Sequence, residues 1–580
     1  MILQALKEYY DRKAADPDSG IAPLGWERKE IPYLIVLNED GSLVRVEDTQ
    51  ELVNKKKRAK TFLVPQSVKR SSGVAANLLW DNVEYATGVV CKGKADRVAA
   101  QHAAFIERLS ELSGCPSVEP VKDFLSKSDF REQLAKCQEW NEAVEGCAFI
   151  AFKISGETFP VFNASDVKEC VDGAIKPKFE NEAGSVCLVS GKRDLVAKLH
   201  PAVKGVQGTN TTGGNIVSFN FPAACSFGKT QGANAPIGEE AAFKYATALN
   251  SLLGKDSRQK ISAGDATAVF WSEKNSVLED EFLDLFGEPA KDNPDKDNPD
   301  KGVDAVERLL TSVKTGAFSP TEETTRFYVL GLAPNSARIS VRFWHIGTVA
   351  EMEGRFADWF EDLRIAHGVN DKEHLSLSIL LLSIARYNKD KQKWKENIPS
   401  NLAGAIMRSI LSGSPLPDTL LNAVLVRIKA EREISYPRAK LLKAYLNRKS
   451  KERKITVSLN KENTDAAYCL GRLFATLEKI QEEANPGINA TIRDKFYASA
   501  SSAPNTVFGN LMRLKNHHLA KLPQGRTTYF EKLLGEVISK FASFPAHLSL
   551  DEQGMFAIGY YHQRQDFFTK KEKSDIASVE

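Results

Sequence analysis

Apolar and polar positions alternate with a period of two in several short stretches of the first 350 residues, and with a helical period over most of the rest. "YLIVL" (33–37) and "SLVRVE" (42–47), joined by "NEDG", predict a hairpin, with a short helix at 2–10 before it. Ala99, Ala103, Ile106 and Leu109 fall at helical spacing, and that period holds from about 94 to 145. Strands are expected at "GCAFIAFKI" (146–154), at "GSVCLVSG" (184–191) and in the apolar run before residue 221. "TRFYVLGLAP" (325–334) and "ARISVRFWHIG" (337–347) predict a second hairpin, with Arg338, Ser340 and Arg342 on one face.

After about 350 the pattern is mostly helical. A basic run at 447–454 precedes four helix patterns: "TDAAYCLGRLFATLEKIQEEA", "APNTVFGNLMRLKNHHLAKL", "TTYFEKLLGEVISKF" and "SLDEQGMFAIGYYHQRQDFF". Their apolar stripes, such as Leu470, Leu473, Phe474, Leu477 and Ile480, suit a bundle. The expected fold is an α+β N-terminal domain (1–455) with mixed and antiparallel strands and helices, followed by an all-α C-terminal four-helix bundle (456–580). The tandem pentad "KDNPDKDNPD" (291–300) reads as an exposed linker.

Composition changes this picture little: 42% hydrophobic, 26% charged and a net charge of +3 describe an ordinary globular chain, not a polybasic one. The eight cysteines contain no C-x-x-C pair, no apolar run is long enough to span a membrane, and the N-terminus lacks a signal-peptide pattern. A cytoplasmic protein with reduced thiols is expected. No serine-elbow, zincin or calcium-loop motif is present, so a locally encoded catalytic site, a metal and a cofactor are not expected.

One stretch, "FPAACSFGKT" (221–230), ends like a phosphate-binding loop. G-x-x-x-x-G-K-[ST] needs a glycine where this chain has Ala223, beside Pro222, and a side chain there opposes the required turn. An ATP-dependent nucleic-acid enzyme with a degenerate loop is therefore the weaker alternative. The surrounding block, rich in Gly, Asn, Gln, Thr and Ser, suits contact with base edges and phosphates. With the loop at 66–77 it gives the candidates Lys69, Arg70, Ser71, Ser72, Asn77, Lys204, Gln207, Thr209, Asn210, Asn215, Ser218, Asn220, Lys229, Gln231 and Asn234. For any single asparagine, such as Asn215 or Asn220, the competing reading is a side chain that satisfies buried backbone groups. In the C-terminal bundle, Lys461, Arg472, Arg493, Lys495, Arg513 and Lys515 are candidates for DNA-backbone contact.

The segments "CLVSG", "LHPAVKGVQG", "NIVSFNFPAACSFGKTQGANAPIGEEAAFKYATALNSLL", "YVLGLAPNSARISVRFW" and "EQGMFAIGYYHQRQDFF" resemble the large subunit of the type I-C CRISPR interference complex, Cascade. The resemblance extends to about residue 570. It departs at Phe227, where the family favours tyrosine, and at Gly208, Thr209 and Asn210, where it favours Gly-Ala-Gln. It implies a non-catalytic subunit that recognises the protospacer-adjacent motif (PAM) in double-stranded DNA, helps to open the duplex and recruits a helicase-nuclease in trans. The implied partners are the crRNA, the repeated backbone subunits and the crRNA-processing subunit. Free small subunits from the same gene are also implied. Internal methionines stand at 352, 407, 512 and 555, so a start near Val457 would need a non-Met codon. A purely structural scaffold subunit is the remaining alternative.

Overall fold

The computed structural model describes residues 2–568 except 54–55, 69, 71–72, 113, 180–183, 211, 220, 264–265, 288–300, 316–322, 337, 400 and 451–454. Lys69, Ser71, Ser72, Asn220 and the tandem pentad therefore lie outside the described residues. The chain forms two compact units, one of Met1–Gly205 with Asn210–Gly254 and one of Val206–Thr209 with Lys255–Glu580.

In the first unit, Tyr33–Leu37 is apolar on both faces, and all five residues are buried. It pairs antiparallel with Leu43–Asp48, as the hairpin pattern predicts, and parallel with Phe149–Ile154; Trp80–Asn82 completes the four-stranded sheet. A parallel neighbour requires a long crossover. Helices Ala95–Ser110, Glu119–Ser126, Phe130–Ala135 and Gln138–Gly146 lie within it. Phe105, Phe124, Leu134 and Trp140 from these helices meet Ile35, Trp80 and Phe152 in one core. The N-terminal basic run is drawn into structure as well. Lys56–Ala59 pairs with Gln50–Val53, and Thr61–Pro65 pairs with Trp26–Glu30. Lys57 lies 2.8 Å from Glu142, and Arg58 lies 3.9 Å from Glu30. The expectation of reduced thiols is corrected at one place, where Cys115 and Cys170 are joined as a disulfide.

Helix Ile2–Ala14 packs on helix Glu239–Leu252, with the Tyr10 and Phe243 rings 5.9 Å apart and Lys244 2.9 Å from Asp11. Between Gly184 and Gly238 there is little regular structure. The strand expected at 184–191 shrinks to Ser185–Val186, and the run before residue 221 is not a strand. Asparagines and glycines turn the chain too often for a ladder to extend. Isolated bonds fix it instead: Leu188 N–H to Pro236 O (2.9 Å), Ala197 N–H to Ile237 O (2.9 Å) and Val203 N–H to Gly214 O (2.8 Å).

The second unit holds an antiparallel sheet in the order Lys260–Ala263, Ala266–Ser272, Arg326–Asn335, Arg338–Thr348. The predicted hairpin is its last pair, with a register shift at Gly331/Leu332. A Cβ at Gly331 would stand 2.2 Å from the Phe343 ring, which is why glycine occupies the bulge. Phe270 and Phe327 pack with Phe282, Phe286, Phe356 and Phe360 in a core that also contains Leu442, Phe474 and Phe556. The unit's core thus continues across position 455/456.

Among the described residues, the C-terminal region has five helices rather than four: Ala466–Ala484, Ile492–Ser502, Pro504–Leu519, Gln524–Ile538 and Leu550–Phe568. The missed one, "IRDKFYASASS", has few apolar positions and is fixed at its start by a capping box between Thr491 and Asp494. Among the described residues no helix is long and apolar enough to cross a membrane.

Candidate nucleic-acid interface

The loop at 66–77 is anchored from below. Asp81 is fully buried and accepts hydrogen bonds from Arg70 and from the backbone N–H groups of Asn77 (2.9 Å) and Asn82 (2.8 Å). Arg70 Nε also donates to Ala75 O at 2.6 Å, and its guanidinium lies 3.8 Å from the centre of the Tyr85 ring. The buried Asn77 side chain accepts from Val68 N–H at 2.9 Å. Arg70 and Asn77 therefore hold the loop rather than project from it. Burial pushes the Asp81 carboxyl upward, against the opposing pull of Arg70.

The second block is poor in acid and carries several cations. From Gly184 to Gly238 the only carboxylate is Asp194, which is buried, while Lys192, Arg193, Lys198, Lys204 and Lys229 are exposed. Val186, Leu188, Leu199, Phe221 and Phe227 are exposed among them. Phe227 is 99% exposed and sits at φ +52°, in the left-handed region.

The Asn234 side chain ties this loop together. It accepts from Ser226 N–H at 3.2 Å and donates to the carbonyls of Lys229 (3.3 Å) and Gln231 (3.0 Å). Asn215 donates to His200 O at 3.0 Å. Both asparagines thus bond to backbone groups. Ser218 lines a small cavity with Lys198, His200 and Asn215. Lys204, Asn210, Lys229 and Gln231 are exposed. Gln207 and Thr209 belong to the second unit, where Ser262 Oγ donates to Gln207 Oε1 (3.2 Å) and Thr209 Oγ1 to Val206 O (2.8 Å).

Sequence reasoning missed Lys29. Its ammonium lies 3.8 Å from the centre of the Phe149 ring and 5.5 Å from that of Trp80. Burial lowers its pKa, and the charge of nearby Lys204 lowers it further. The carboxylates of Glu27, Asp81 and Glu30 pull the other way. The sequence shows only a charged stretch, "WERKE", where the strand Trp26–Glu30 forms.

In the C-terminal helices, Arg472 is fully buried, bonded to Glu536 (2.9 Å) and Gln563 (3.2 Å), and so cannot reach a phosphate. Arg493 lies 3.6 Å from buried Glu478. Lys461, Lys495 and Arg513 are exposed, and Lys515 is half-buried, donating to Asn516 at 3.0 Å.

The phosphate-loop alternative lacks its helix. Thr230 is followed by the 3-10 turn Gln231–Asn234, and the next α-helix starts only at Glu239, so no helix N-terminus receives a phosphate at Lys229. Glu84, Cys91 and Cys147 each bring one donor atom within 4.8 Å of the others. Glu84 Oε1 already accepts the N–H groups of Cys91, Lys92 and Gly93 (3.1, 2.7 and 2.6 Å). Burial, with Cys147 alongside, pushes the Cys91 thiol up to about 12. The cluster thus anchors the loop after helix Val83–Thr87.

Residues 6–568 match the family described as CRISPR-associated protein (Cas_Csd1). The chain belongs to that family of CRISPR-associated proteins. No curated protein matches it.

Proposed function

We propose that the chain is the large subunit of a type I-C CRISPR RNA-guided surveillance complex. In this reading it binds double-stranded target DNA, recognises the PAM and helps to open the duplex. It recruits a helicase-nuclease and has no catalysis of its own. Its partners are crRNA, the repeated backbone subunits, the crRNA-processing subunit and free small subunits made from the same gene. The observation that carries the reading is the composition and exposure of the segment 184–238, with five exposed cations, one carboxylate that is buried and the exposed ring of Phe227. Such a face attracts a polyanion and offers bases an apolar surface.

The test is binding of assembled complex to duplexes that differ only in the PAM, with and without this chain. Sequence-dependent binding that requires the chain is expected. Binding indifferent to PAM sequence would favour the scaffold alternative. Replacing Lys198, Lys204 and Lys229 by alanine should weaken all duplexes together and reduce the salt slope by roughly one per lost phosphate contact.

A further inference from the structure

We propose that Phe227 is a base-stacking side chain, the point at which this surface grips a nucleobase rather than a phosphate. The inference rests on the DNA-binding reading above and assigns one chemical contact within it.

Phe227 combines two unfavourable features. It is the most exposed phenylalanine among the described residues, with Phe568, near the C-terminus, next at 65%. Its backbone also occupies the left-handed region at φ +52°, which costs a non-glycine residue on the order of 1 kcal/mol or more. Nothing within the fold offsets either, since the ring is in solvent. The loop is nevertheless held firmly. Asn234 fastens residues on both sides of the ring, and Lys229 N–H bonds to Ser226 O at 3.0 Å across the turn. A loop tied by these bonds that presents a ring to water has less ordering cost to meet on binding.

The surroundings select the occupant. Lys229 stands two residues away, Lys198 and Lys204 are on the same acid-poor segment, and its only carboxylate is buried. A protein partner anchored by a phenylalanine has no need of a surface stripped of exposed acid, whereas a nucleic-acid strand does. Every base has a π-face, so one aromatic ring can stack on whichever base is presented, and this is independent of motif reading by polar groups. Phenylalanine suffices, because stacking requires no hydroxyl.

The test uses assembled complex and duplexes carrying 5-iodouracil at single positions in and beside the PAM. Photocrosslinking to the peptide containing Phe227 is expected at one or two neighbouring positions. Phe227→Ala should abolish the crosslink and weaken duplex binding roughly 5- to 150-fold, the span that loss of one base–aromatic stack carries, while Phe227→Trp retains both. The melting curve of the purified Phe227→Ala chain should match the parent, since the ring supports no core. Unchanged affinity and no crosslink, with Lys198, Lys204 and Lys229 still needed for binding, would overturn the stacking role and leave the DNA site standing. If those lysines are also dispensable, the DNA-binding reading itself falls. Loss of the Phe227→Ala chain from the complex, with its own fold intact, would make Phe227 a protein anchor and would likewise overturn the inference.

Discussion

Gly471 and Gly559 bring two helices of the C-terminal region into backbone contact. A Cβ on Gly471 would stand 2.0 Å from the carbonyl oxygen of Phe556, and one on Gly559 would stand 2.1 Å from that of Tyr468. Helices Ala466–Ala484 and Leu550–Phe568 thus notch into each other. Alanine is the better helix former by about 1 kcal/mol, yet either Gly→Ala change forces the helices apart, and overpacking of this kind costs about 1–3 kcal/mol. Hydrogen exchange should quicken in both helices for Gly471→Ala and Gly559→Ala. Exchange as slow as in the parent would show that the helices separate at no cost.

Beside the same contact, Tyr468 Oη lies 3.0 Å from Nδ1 of buried His562. Burial, with a smaller push from the charge of Lys443, lowers this imidazole to about 3. The folded state therefore holds it neutral while the unfolded chain protonates it near 6.5. The stability this confers is complete above pH 6.5 and is lost as pH falls from there toward 3, at most about 1.4 kcal/mol per pH unit. Denaturant unfolding of the parent at pH 7 and pH 5 should differ by about 2 kcal/mol more than that of His562→Gln. Equal pH dependence in the two proteins would assign the acid sensitivity to other groups.

The elements readable in the sequence were those with strong local patterns. The hairpins around "NEDG" and around Asn335 and Ser336 combine alternation with a turn, and both form. Lys260–Ala263 and Ala266–Ser272 also pair, but their residues are too few for the period to stand out, and the second of them takes its other neighbour, Arg326–Asn335, from far along the chain. Side-chain roles were less readable than elements. Arg472 looked like a surface cation on helical spacing, but its partners Glu536 and Gln563 come from other helices. Lys29 looked like charged surface because Phe149 and Trp80 lie far along the chain. Asn77, Asn215 and Asn234 have the composition of base readers and the geometry of loop fasteners, and composition alone does not separate the two.

Arg70 makes that distinction measurable. Its guanidinium compensates fully buried Asp81 and covers Tyr85, so Arg70→Ala should leave a buried carboxylate unpaired and cost the first unit about 3 kcal/mol. Asp81→Asn should be milder, because an amide carries no charge. Thermal melts and DNA binding measured on the same variants separate the roles. A fall in melting temperature with Arg70→Ala, much larger than with Lys204→Ala, marks Arg70 as the loop's anchor. Weakened DNA binding without any loss of stability would make it a direct phosphate contact instead.

The C-terminal helices are the place to test independent folding. We expect residues 457–580 to fold alone, since five helices with a shared core around Phe474, Tyr497 and Phe556 are enough for a small domain. The terminal helix has a second face, however, occupied by the preceding segment. Gly554 lies against Leu421, Leu442 and Leu446, Lys449 is 2.8 Å from Asp551, Lys429 is 2.7 Å from Gln553, and Tyr561 Oη donates to Ala366 O at 2.8 Å. A fragment starting at 457 leaves that face open. It should therefore be helical by circular dichroism, melt below the full chain, and need another surface to cover the face. Exposed Lys461, Lys495 and Arg513 remain available for DNA backbone, whereas Arg472 does not. Added to a complex whose large subunit ends at 456, the fragment should join it and restore DNA affinity in a salt-dependent manner. A fragment without helical signal, or a helical one that never enters the complex, would refute the small-subunit role.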